Sequence, residues 1–317
     1  MDAPAQLVGR DRELQRGLDT IGKGLNLLIV GPDGIGKRTL LRALRARLEA
    51  SRPCLWVGAG TAKGQAFALA RQTHESIGLR VPRALIPRRH LARAEHEGVR
   101  WGWVERGLQR MPAQACLDLV LHTLRGAPVR PLVFLERLAL PTGRAGHVIP
   151  LLETCQVVAC LGEEVRCEPL RRLLWRFPDR ERISLAPLTP AACRELIEHW
   201  LAAHPLRFHS ESVRTGFVEG LVQDSGGSPL AIVRMLETAA AESEIDADNL
   251  RDFAQEAGLR YIDMTPSVIL LLAGAVLARF IARGTGSTEL YVLAGVGLAA
   301  GIVLRFFLWP MMQRRAR

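Results

Sequence analysis

The chain has 317 residues, enough for one large core or two smaller ones, and 42 Lys and Arg face 32 Asp and Glu for a formal charge of +10. Lys23, Lys37 and Lys63 are the lysines, so the cationic character is arginine, a bias expected of a GC-rich bacterial genome. About half of the surplus lies beyond Pro266, which leaves the rest too balanced to argue for DNA on charge alone. Cys54, Cys116, Cys155, Cys160, Cys167 and Cys193 form no C-x-x-C pair and sit mostly in apolar runs, which points away from a disulfide scaffold or a zinc site and toward buried thiols in a reducing cytosol. The N-terminus, Met1 to Gln6, has neither a basic nor an apolar leader region, so no signal peptide is expected.

Leu7-Val8-Gly9-Arg10-Asp11-Arg12-Glu13-Leu14 opens the patterned chain, and Leu14, Leu18 and Ile21 then recur at helical spacing. Leu27 to Val30 reads as a buried strand. It runs into Gly31-Pro32-Asp33-Gly34-Ile35-Gly36-Lys37-Arg38-Thr39 and a helical pattern. Strand, glycine-rich loop and helix in that order form a phosphate-binding loop: the glycines let backbone N–H groups turn inward, Lys37 reaches the outer phosphates, and the helix N-terminus adds partial positive charge. One position departs from the pattern. A hydroxyl that holds Mg²⁺ should follow the lysine, yet Arg38 stands there and Thr39 comes one place later. A guanidinium has donors only and cannot ligate a cation, so nucleotide binding is better supported than hydrolysis.

The Val-Gly-Arg-x-x-Glu-Leu box ahead of a phosphate loop resembles the AAA-type ATPases of the origin-recognition and signal-transduction (STAND) groups. The resemblance implies ATP as ligand, with Mg²⁺ weakly held here, and places Val8, Gly9 and Arg10 near the adenine. Read without it, the box is a turn and a helix start.

Cys54 to Val57 is a second strand and Gln65 to Leu79 a helix. Arg80 to Arg93 carries five arginines, His90 and two prolines with no acid; it reads as a solvated loop, with nucleic acid or lipid phosphates as the alternative ligand. Trp101 and Trp103 anchor a helix from about Val104 through Leu124. Pro131 to Arg137 holds a third strand ending in Glu136, the position from which the resembled family sends a carboxylate toward the metal's water shell. Where the family has a second acid to polarise water, this chain has Arg137, which cannot act as a base near neutral pH. Glu136 is therefore the candidate catalytic residue, and Thr39 and Glu136 are the candidate metal ligands.

Gln156 to Leu161 and Ile183 to Leu185 complete the strands, and the fourth ends in Gly162-Glu163-Glu164 with no sensor arginine at that point, although Arg166 is near. From Thr189 the period is helical, with Thr189 as N-cap, Pro190 in the first turn and a stripe of Cys193, Leu196, Ile197, Trp200 and Leu201. A helix from Ser212 to Val222 leads to Gly226-Gly227-Ser228-Pro229, in which Ser228 suits a cap and Pro229 the first helical position; further helices run over Leu230 to Ala241 and Asn249 to Ala257. The glycine-proline turn resembles that of STAND-type lids, which implies Pro229 against the adenine; a plain helix–helix turn is the alternative.

Ser267 to Ala278 gives twelve uncharged, mainly apolar residues and Leu290 to Leu304 fifteen more, split by a polar turn at 283–289. A helical span needs about 20 residues, about 17 at the short end, so each run crosses a bilayer only with an arginine near its end reaching back to the interface. Trp309 and the basic ending Arg314-Arg315-Ala316-Arg317 favour a cytoplasmic C-terminus. The expected architecture is α/β: a parallel phosphate-loop sheet flanked by helices over 1–187, a helical lid over 188–260, a two-helix transmembrane hairpin over 264–312 and a basic tail at 313–317. The expected function is a nucleotide-dependent switch or scaffold with weak or absent turnover, held on a bacterial inner membrane with both termini cytoplasmic, its partners lipid and either another protein or further copies of itself. An active ATPase that remodels DNA or protein is one alternative, and an ATP-gated hairpin that disrupts the membrane is another.

Overall fold

The computed structural model describes residues 7–58, 60–138, 145–162, 174–178 and 181–241. Helix α1 (Asp11–Gly22) precedes strand β1 (Leu27–Val30), α2 (Lys37–Leu48), β2 (Cys54–Val57) and α3 (Ala62–Ser76). After two short 3-10 turns come α4 (Leu91–Glu97), α5 (Trp101–Arg110), α6 (Ala113–Arg125), β3 (Leu132–Leu135), α7 (Ala145–Thr154), β4 (Gln156–Leu161) and β5 (Ile183–Ser184). The helices α8 (Pro190–Ala203), α9 (Glu211–Asp224) and α10 (Pro229–Ala239) follow.

The strands form a parallel sheet in the order β2-β3-β4-β1-β5, with Leu27 opposite Val158, Val133 opposite Val157 and Leu55 opposite Val133. Strands β1, β2 and β3, and β4 after Gln156, are uninterrupted apolar runs because the sheet is covered on both faces. Alternation assigns the side chains: Leu28, Leu55, Val57, Val133, Leu135, Val157 and Ala159 pack with α3, α5 and α6, while Leu27, Ile29, Leu132, Phe134, Val158 and Cys160 pack with α1 and α2. At the edge, Gln72 of α3 accepts from the Trp56 N–H at 2.7 Å and donates to its carbonyl at 2.8 Å. The end of the sheet away from the glycine loop is tied by Gln156, which donates to the Ile21 and Leu25 carbonyls and accepts from Arg52.

Three sequence expectations need correction. The helix expected from Val104 through Leu124 is two helices: Pro112 has no N–H to donate within a helix, the chain turns there, and α6 starts anew. The arginine-rich 80–93 segment is not a plain loop; Pro82 and Pro87 each lead a 3-10 turn before α4, Ile86 is buried, and Arg83 pairs with Glu95 at 2.6 Å. The helix after β2 starts at Ala62, three residues early, because the Thr61 side chain accepts from the Gly64 N–H as its cap.

The last three described helices make a separate core in which Cys193, Ile197, Phe217, Leu221, Ile232 and Leu236 meet. Caps at Thr189, Ser210 and Ser228 set their starts. No helix among the described residues is long and apolar enough to cross a membrane; the expected hairpin over 264–312, the helix at 249–257 and the residues Glu163, Glu164 and Arg166 lie outside the described residues.

Candidate functional site: a glycine loop closed by two ion pairs and a helical lid

The loop from Gly31 to Gly36 joins β1 to α2 at the C-terminal ends of the parallel strands, where ligand crevices form in open α/β sheets. Gly34 and Gly36 have φ of +85° and +97°, conformations that side chains rarely adopt, and Gly36 starts α2 without a side-chain cap. The first turn of α2 holds no acid but holds Lys37 and Arg38, cations at the positive end of the helix dipole. Each must be balanced by something outside the helix.

Lys37 is balanced by its own loop. Its ammonium, 12 % exposed, donates to the Gly31 carbonyl at 2.5 Å and the Pro32 carbonyl at 2.7 Å and pairs with Asp33 at 3.2 Å. Arg38 reaches instead to the end of β3: its Nη2 lies 2.8 Å from Oε2 of Glu136. The other Glu136 oxygen accepts from the Trp56 indole N–H at 3.0 Å, and the carboxylate side chain is only 10 % exposed. Trp56 is itself fixed by stacking on Phe134 and by Arg45 over its ring. Strand β4 lies between β1 and β3, and its buried Cys160 sits below these charges. Burial pushes that thiol up to about 12, with Lys37 and Arg38 opposing and Glu136 reinforcing.

The residues expected to serve a divalent cation do not fit one. Mg²⁺ demands near-octahedral oxygen ligands, whereas the hydroxyl position carries a guanidinium, both Glu136 oxygens have donors, and Thr39 is half-buried in the first turn of α2. Among the described residues no group of three His, Cys, Asp or Glu side chains could hold a metal.

The lid meets the loop directly. The Leu230 N–H donates to the Gly34 carbonyl at 3.2 Å, a Cβ placed on Gly34 would stand 2.9 Å from Leu230 Cβ, and one on Gly36 would stand 3.8 Å from Pro229 Cγ. Ser228 caps α10 through the Ala231 N–H as expected, and Pro229 takes the first helical position. Leu188, at the entry to the lid, donates to the Gly227 carbonyl at 2.8 Å.

The Val8-Gly9-Arg10 box is placed between the two halves. Val8 is buried in the lid core, and Gly9 lies so near α8 that a Cβ would approach Ala192 Cβ to 2.5 Å. Arg10 is buried, donating to the Ala186 carbonyl at 2.5 Å and the Ile35 carbonyl at 3.5 Å and pairing with Glu13 at 3.1 Å. Gly31, Pro32, Asp33, Gly34, Ile35, Gly36, Lys37 and Arg38 thus form one loop and helix start, joined to Glu136 through Arg38 and to Pro229 through Gly36, while Val8 packs in the lid core and Arg10 ties α1 to the loop. Sequence reasoning missed Trp56 and Leu230. A tryptophan at a half-buried strand position beside an acid-ending strand was the available sign of the first; the backbone N–H of Leu230 leaves no sign.

No family model matches the chain, and no curated protein matches it. Among solved structures, it is similar to Cdc6p from Pyrobaculum aerophilum at 16% identity, over 96% of this chain and 87% of that one, with a TM-score of 0.55. The Orc1 protein of Aeropyrum pernix in complex with DNA follows at 16%, 92%, 78% and 0.47, and the RuvB Holliday junction branch migration motor of Thermotoga maritima at 15%, 91%, 88% and 0.45. At these identities the likeness speaks for architecture, and it is the Cdc6p overlap that carries it. Glycine loop, acid-ending strand two places away in the sheet and the Cdc6p overlap agree: this chain has the α/β phosphate-loop fold of AAA-type ATPases.

Proposed function

We propose that the chain is an ATP-binding switch or scaffold with weak or absent turnover, anchored to a membrane by 264–312. The observation that carries the reading is the contact of Leu230 and Pro229 with Gly34 and Gly36: a polyphosphate entering the loop must draw Lys37 off the Gly31 and Pro32 carbonyls, and the loop that then rearranges is the one the lid rests on. Binding therefore changes the seat of the lid, which is the element able to signal to a protein partner or to further copies of the chain. Weak turnover is supported by the occupied Glu136 and by Arg137 at the place of a second acid. The anchor rests on the apolar runs of the sequence, and lipid is the partner it implies.

The test is hydrogen exchange on the full-length chain in detergent micelles with and without ATP, together with phosphate release. The expected result is altered protection at both 31–37 and 229–236, with release far slower than nucleotide exchange. Binding that left 229–236 unchanged, or fast release stimulated by DNA, would overturn it in favour of a remodelling ATPase. Vesicle flotation tests the anchor: deletion of 264–317 should abolish it.

A further inference from the structure

The ion pair between Arg38 and Glu136 has a consequence for what the loop takes up, and it rests on the nucleotide reading above. We infer that the site binds a nucleoside triphosphate free of metal, with the Arg38 guanidinium in the place of the divalent cation, so that Mg²⁺ opposes binding.

Geometry supplies the first argument. Arg38 starts from the first turn of α2 beside the loop, and its Nη2 meets Glu136 Oε2 at the end of β3 at 2.8 Å, so the guanidinium bridges the gap between the phosphate loop and the strand that bears the acid. A cation bound by Glu136 in that gap would have to displace Arg38, turn the carboxylate from the Trp56 N–H, and then sit beside the guanidinium it displaced. Such like-charge proximity is unfavourable, and a partly buried carboxylate stripped of its partner is costly.

The second argument is donor count. A guanidinium offers five N–H donors in a planar fork suited to bidentate phosphate contact, and Glu136 Oε2 engages Nη2. The Arg38 side chain is 57 % exposed, so its remaining edge faces outward where Glu136 is 10 % exposed and enclosed. Glu136 thus holds the fork in position, and the fork keeps donors for phosphate oxygens.

Charge supplies the third. The first turn of α2 gathers Lys37, Arg38 and the helix dipole with no acid in the turn, and the one acid on the loop, Asp33, is 88 % exposed. This fixed positive field suits the metal-free triphosphate, which carries more negative charge than its Mg²⁺ complex.

The experiment is equilibrium binding of radiolabelled ATP to the full-length chain in detergent micelles, in excess EDTA and in millimolar Mg²⁺. The wild-type chain should bind in EDTA at least as tightly as in Mg²⁺, with added Mg²⁺ weakening it severalfold. Arg38→Thr restores a hydroxyl and releases Glu136, and should reverse the order, losing about tenfold or more in EDTA. Glu136→Gln keeps the shape and should leave the order as in the wild type, with binding in EDTA still at least as tight as in Mg²⁺. A wild-type chain that lost ATP about tenfold on adding EDTA would overturn the inference while leaving the nucleotide reading intact. So would a Glu136→Gln chain weakened in Mg²⁺ and unchanged in EDTA. Absence of ATP binding under both conditions would remove the nucleotide reading along with it.

Discussion

Replacing Gly34 by alanine tests whether the lid rests on the loop as described. Gly34 and Gly24 share a left-handed backbone, with φ of +85° and +76°, and alanine at either costs about 1 kcal/mol for that conformation. They differ in their surroundings. A Cβ on Gly24 meets nothing within 4 Å, whereas one on Gly34 would stand 2.9 Å from Leu230 Cβ and 3.1 Å from its Cδ2. Relief requires the start of α10 to retreat, which breaks the Leu230 N–H bond to the Gly34 carbonyl, worth about 1 kcal/mol net, and loosens the packing around it. Gly34→Ala should therefore cost about 2–4 kcal/mol against about 1 for Gly24→Ala, read by urea unfolding of the full-length chain. Hydrogen exchange should show the Leu230 amide losing about tenfold protection in Gly34→Ala alone. Leu230→Gly in the Gly34→Ala background should recover part of the loss. Equal costs at the two glycines, with an unchanged Leu230 amide, would refute the docking of the lid.

Lys37→Ala removes the one lysine of the loop and should weaken ATP binding about 10- to 100-fold, as loss of a charge-assisted contact implies, measurable by calorimetry. Arg10→Met should destabilise the chain by about 2–4 kcal/mol because the Ala186 and Ile35 carbonyls and Glu13 lose their donor; retained stability with lost ATP binding would return Arg10 to the adenine. His74 lies against Trp101 with a buried Nδ1, and burial lowers its pKa from 6.5, with Glu75 opposing. Protons therefore bind the unfolded chain more readily: the neutral ring's contribution is whole above 6.5 and is lost as the pH falls through the lowered folded value. His74→Phe should flatten the decline of stability between about pH 7 and 5, and an unchanged pH profile would refute this account.

The glycine loop, the five strands, the three lid helices and the caps at Thr189 and Ser228 were legible in the sequence, because each is written in local chemistry: an apolar run, a glycine where φ is positive, a Ser or Thr before a helix; the cap at Ser210, two residues ahead of the expected helix start at Ser212, was not read. Arg38 was legible as a departure from a nucleotide-hydrolysing site, and Glu136 as the acid that ends a strand. Their pairing was not, since it depends on β4 entering the sheet between β1 and β3, an order that no local pattern specifies. The surroundings of the box at Val8 to Arg10 were likewise not legible. Resemblance places it near the adenine, and the structure adds that Val8 packs in the lid core and Arg10 joins α1 to the loop.

The clamp of Gln72 on Trp56 bears on how copies of this chain can meet. An outer strand normally offers its amides and carbonyls to a neighbouring molecule, and here the pair at Trp56 is already claimed by one side-chain amide, on a strand only four residues long. Joining sheets across that border would first have to break both bonds. Self-association at the β2 border therefore favours side-chain surfaces, whose shape a ligand can alter, over backbone zippering, which would go forward with or without one.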